Sequence, residues 1–72
     1  MPRTLREKLE QVERDIKLYV EFDRAEKDRF NREVYLWTAE DRIEWQETQS
    51  DIAQRLQELL EARDALRGQL GL

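Results

Sequence analysis

Two apolar series of matched rhythm constrain this chain more than any other feature. The first runs Leu5, Leu9, Val12, Ile16, Tyr19, in steps of four, three, four and three. Such steps keep side chains on one face of an α-helix. The second runs Trp45, Gln49, Ile52, Leu56, Leu59, Arg63, Leu66, Leu70 in the same rhythm. The sole proline, Pro2, stands ahead of both series, and the glycines, Gly68 and Gly71, stand near the end of the second. Nothing inside either series breaks a helix.

Start signals precede each series. Thr4 offers a cap, and Glu7 three residues on can reach back to the cap's own N–H, the pattern of a capping box. Thr38 offers a second cap, and Glu40, Asp41 and Glu44 follow where the helix dipole favours negative charge. The expectation is a single helical-hairpin domain over residues 1–72. It has a helix from about 4 to 36, a turn at about 37–38 and a helix from about 39 to 68, with Gly68 and Gly71 as the stop. The fold class is all-α. Two helices joined by so short a turn pack antiparallel, each about 45 Å long at 1.5 Å per residue.

Folding about Trp37–Thr38 matches the two series end to end. Leu5 meets Leu70, Leu9 meets Leu66, Ile16 meets Leu59, and Tyr19 meets Leu56. The expected coiled-coil-like core is Leu5, Leu9, Val12, Ile16, Tyr19, Phe30, Val34 and Trp37 against Trp45, Ile52, Leu56, Leu59, Leu66 and Leu70. The seam turns polar at Asp23 and Glu26 on the first helix and at Gln46, Gln49 and Ser50 on the second. These gaps fall opposite one another. Such a layer either specifies register, or marks where the helices splay and water enters.

A second apolar cluster lies off the seam. Leu18, Phe22, Ala25 and Leu36 project together at 100° per residue, and helix two adds Ile43, Ala53 and Leu60. Tyr35 also fits no seam position. A hairpin needs one stripe per helix, so a further face predicts contact with another chain. Size points the same way. A 72-residue chain makes a marginal core alone, and with no cysteine or histidine it has neither disulfides nor thiolate or imidazole metal sites to add. The expectation is a homodimer of hairpins forming a four-helix bundle. Leu18, Phe22, Ala25, Tyr35, Leu36 and Ile43 are its protein-interface residues.

Several function classes are disfavoured. Carboxylates are plentiful, but many sit in i,i+4 pairs with a base, as in Glu10–Arg14, Glu13–Lys17, Asp23–Lys27, Asp28–Arg32 and Asp51–Arg55. That is the pattern of a solvated, salt-bridged surface. Di-metal bundles use Glu-x-x-His, which a histidine-free chain cannot supply. Ser50 is the only serine and has no base to activate it. No glycine-rich phosphate loop exists. The reading is therefore a non-enzymatic protein, with no catalytic, cofactor-binding or metal-ligating residue, no cofactor and no small-molecule substrate.

The charge balance argues against direct nucleic-acid contact. Helix one is even, and helix two carries the acidic excess behind the net charge of −4. No apolar run is long enough to span a bilayer or serve as a signal peptide, so the expected location is cytoplasmic, with no membrane partner. The turn reads Trp37-Thr38-Ala39, and helical hairpins of the WxG family carry Trp-x-Gly there. The chain resembles that family only in hairpin shape and one tryptophan.

The sequence thus predicts action through protein–protein contact and self-association, as an assembly factor, adaptor or small regulator with a protein partner. Short charged helical chains of this kind are frequent among phage and mobile-element products, which makes such an origin an expectation by association. The alternative is an acidic inhibitor. Glu40, Asp41, Glu44, Glu47 and Asp51 would form a ridge that occupies a partner enzyme's nucleic-acid site.

Overall fold

The computed structural model describes residues 3–72; Met1 and Pro2, the proline read as standing ahead of the first helix, lie outside them. Helix α1 spans Leu5–Glu33, a 3₁₀ turn spans Val34–Leu36, and helix α2 spans Ala39–Leu70. The two long helices pack against each other as an antiparallel hairpin measuring 48 × 24 × 16 Å. Among the described residues there is no strand.

The caps differ from expectation in one respect. Thr4 Oγ1 accepts from the Glu7 N–H at 3.1 Å, but the Glu7 carboxylate does not return to the cap. The reciprocal box forms at the other start. Thr38 Oγ1 accepts from the Asp41 N–H at 3.2 Å, and Asp41 Oδ2 accepts from the Thr38 N–H at 3.1 Å. Aspartate is one methylene shorter than the glutamate of the usual box, and here it still reaches.

Helix α1 stops three residues short of the expected boundary. No glycine is available there for a left-handed cap. The chain instead tightens into the 3₁₀ turn, where the Trp37 N–H donates to the Val34 carbonyl at 3.1 Å. Trp37 and Thr38 are then both extended and make the reversal. At the other end α2 runs through Gly68, which is helical, and stops at Gly71 with φ 76°. Leu72 N–H donates to Arg67 O at 2.9 Å and Gly71 N–H to Gly68 O at 3.2 Å, the paired bonds of a Schellman motif. Gly71 alone is the stop.

The core is thin. Leu9, Ile52 and Leu59 are buried, and every other expected core residue is half-buried. Near the turn the rings close the hairpin. Phe30 stacks on Trp45 with centroids 4.3 Å apart, and Trp37 meets Phe30 edge-on at 5.6 Å. The Arg29 guanidinium lies 5.4 Å from the Trp37 ring centre. The Phe30–Trp45 stack fixes the register, since these two residues are opposite in the end-to-end matching.

The polar layer is not a cross-helix network. Lys27 donates to Asp23 at 2.7 Å, and Glu26 lies 3.9 Å from Arg29, so both acids turn to bases on their own helix. Gln46 and Ser50 are exposed. Gln49 Nε2 is buried with no hydrogen-bond partner, and so is Trp45 Nε1 one turn earlier. A groove of about 430 Å³ opens beside this layer, lined in part by Asp23, Lys27, Gln49, Ala53 and Leu60. Of the expected i,i+4 ion pairs, Asp23–Lys27 forms. Arg14 instead donates to Gln11, and Arg55 to Glu58. Exposed pairs are worth tenths of a kcal/mol, too little to hold long side chains to one partner.

Candidate functional site

The residues with potential to act are those the hairpin leaves outside its seam. On α1, Leu18 is 63% exposed and Phe22 49% exposed. They flank Tyr19 in a shallow apolar hollow. On its other side Leu18 lines a second shallow hollow with Arg14, Lys17 and Glu21. Ala25, one turn further on, is also exposed. The Arg55 guanidinium of α2 meets the Glu58 carboxylate at 3.3 Å, and this contact, with the nearby Tyr19 hydroxyl, raises its pKa.

Tyr35, Leu36 and Ile43 are exposed as well, Tyr35 the most at 76%. They do not extend the Leu18–Phe22–Ala25 surface as one helical stripe. Tyr35 and Leu36 lie in the 3₁₀ turn, whose three residues per turn take them off the 100° projection that grouped Leu36 with Leu18. Ile43 lies on α2, on the arc shared with Ala53 and Leu60, and those two line the groove. The six residues thus lie on three elements, Leu18, Phe22 and Ala25 on α1, Tyr35 and Leu36 in the 3₁₀ turn, and Ile43 on α2. Val20, also exposed, was missed because a lone valine off the seam carries no pattern.

The acidic residues divide too. Glu40, Glu44, Glu47 and Asp51 are exposed and fall within an arc of about 60° at 100° per residue. Asp41 lies off that arc, and its carboxylate is held by the Thr38 cap. Among the described residues, no group of three or more carboxylates is placed to hold a metal ion, and no helix is long and apolar enough to cross a membrane.

Fold and surface together define a two-helix antiparallel hairpin with apolar side chains outside its seam. Compared with protein-family models, curated proteins and solved structures, the chain finds no match.

Proposed function

We propose that this protein is a non-enzymatic helical hairpin that works inside its cell by protein–protein contact and self-association, as an assembly factor, adaptor or small regulator. The observation that supports this reading is surface left uncovered. The lone chain exposes 5823 Å². A folded monomer of 8.8 kDa is expected to expose about 4,800 Å². The surplus, roughly 1,000 Å², is close to the ~800 Å² that each partner gives to a standard interface. Leu18, Phe22 and Ala25 on α1 are contact residues in this reading, with Tyr35, Leu36 and Ile43 as further sites.

Sedimentation equilibrium across the micromolar range is the test. The expected result is a mass near twice the 8.8 kDa of one chain. A fully helical monomer at every concentration would remove self-association from the proposal.

A second reading, the acidic inhibitor of a nucleic-acid-handling enzyme, is favoured by one observation, the single exposed arc of Glu40, Glu44, Glu47 and Asp51. Reversing those four charges should then leave helicity intact and abolish binding to such an enzyme. Unchanged binding rejects it. Asp41 is left out because reversing it also breaks the cap.

A further inference from the structure

We propose that α2 carries a second, self-complementary seam, Ile43–Gln46–Ser50–Ala53–Gln57–Leu60, and that a second copy of the chain docks the same stripe on it, antiparallel. This inference rests on the self-association reading and names where the contact is made.

The spacing is three, four, three, four, three, the rhythm of a helix seam. At 100° per residue the six side chains occupy an arc of about 100°, centred about 120° from the seam that faces α1. All six are exposed in the single hairpin. None is charged, in a chain where charged residues are 42% of the total. The charge-free run ends along the helix, at Arg42 before Ile43 and at Glu61 and Asp64 after Leu60, which project within the same arc. Ile43, Ala53 and Leu60 are the apolar members that burial against another helix takes out of water, and Gln46, Ser50 and Gln57 can hydrogen-bond across such a contact.

The order of the stripe selects the occupant. Read from either end it is a large aliphatic residue, a glutamine, and a small residue. A twofold contact requires that if residue i touches j, then j touches i. Laid antiparallel with the axis between Asp51 and Ile52, the stripe meets itself in that way. Ile43 meets the partner's Leu60, Gln46 the partner's Gln57, and Ser50 the partner's Ala53. The small pair at the centre lets the backbones approach. The amides can each donate and accept. The aliphatic pairs close the two ends. A foreign helix would have no reason to match this order.

The hairpin geometry accommodates the same arrangement. The ~120° between the two seams of α2 lets each face contact a different helix, as in a four-helix bundle. The groove beside Ala53, Gln57 and Leu60, which is also lined by Asp23, Lys27, Glu61 and Asp64, then borders the contact. The Leu18–Phe22–Ala25 surface stays outside it, free for a different partner.

Two measurements on the full chain test the proposal. First, the natural sequence has no cysteine, so Ser50→Cys chains mixed with Ala53→Cys chains should oxidise to the mixed disulfide in excess over either homodimer. Second, Ala53→Arg should sediment as a monomer with unchanged helicity. A natural chain that is monomeric throughout sinks the self-association reading itself. A natural dimer that shows no preference for the Ser50–Ala53 disulfide overturns this seam alone. The cysteine pair scarcely perturbs the surface, so it decides the matter even if Ala53→Arg fails to fold.

Discussion

Replacing Gln49 with leucine should stabilise the hairpin, although it removes a polar residue that the register pattern suggests is structural. Gln49 Nε2 is buried and has no acceptor, because Glu26, opposite it in the register, turns toward Arg29. An unsatisfied buried donor costs about 1–3 kcal/mol. Leucine removes that cost and extends the apolar run from Trp45 to Ile52 and Leu56. Glutamine and leucine have nearly equal helix propensity, so the backbone term is close to zero. The net gain is about 1–3 kcal/mol. For a domain of this length each kcal/mol moves Tm by about 4–8 °C. Thermal unfolding followed by circular dichroism, at one fixed chain concentration, measures it directly. Gln49→Ala separates the two contributions. It also removes the donor, but it leaves a gap beside Trp45, so its Tm should change little. A fall in Tm for Gln49→Leu would refute the reasoning, since it would mean the amide is satisfied in solution.

Three further outcomes follow from the ends and the rings. Thr38→Ala should cost about 1–2 kcal/mol and exceed Thr4→Ala, because the Thr38 box satisfies two N–H groups and Thr4 only one; urea titration of the two variants checks the order. Gly68→Ala should stabilise by about 0.5–1 kcal/mol, since Gly68 is helical with open space around it, whereas Gly71→Ala should destabilise by about 1–2 kcal/mol through its left-handed φ of 76°. The sign difference between these two variants is the readout in a thermal melt. Phe30→Ala should cost about 2–4 kcal/mol, less than a fully buried phenylalanine, and should abolish the ring coupling with Trp45 in the near-ultraviolet dichroism.

The half-buried and buried face of α1 could be read from spacing, and the Phe30–Trp45 stack agrees with the register read across the turn. The reason is that a two-residue reversal allows only one antiparallel register that superposes both apolar series. The helix ends were less legible. Whether Glu7 or Asp41 returns to its cap is decided by side-chain rotamers worth tenths of a kcal/mol. Both sequences fit the motif, and only the Thr38 box closes. Gly68 and Gly71 were equivalent as stop signals in one dimension. The Schellman bonds form only around Gly71, so α2 passes through Gly68.

The candidate surface was half legible. Leu18 and Phe22 stood out because they break the seam pattern on a helix that otherwise keeps it. Leu36 lies in the 3₁₀ turn rather than on α1, because the turn changes the angle per residue just before it. Ile43, Ala53 and Leu60 were visible as off-seam apolar residues. Their common arc gained meaning only once the groove beside Ala53 and Leu60 was seen.

Amino-acid order alone determined two helices, their polarity and their register, because each depends on local periodicity and on one short turn. Tertiary structure alone decided which polar groups went unpaired and which apolar ones stayed outside. The donors of Trp45 and Gln49, and the exposed sides of Leu18 and Phe22, depend on where the opposite helix lies, and no local pattern carries that information. VYLWTAEDRIEW shows the division within twelve residues. Trp37 and Trp45 were placed on the seam by spacing, and Thr38 was identified as a cap by type. The separation of Tyr35 and Leu36 from Ile43 came only from the tightened turn between the helices.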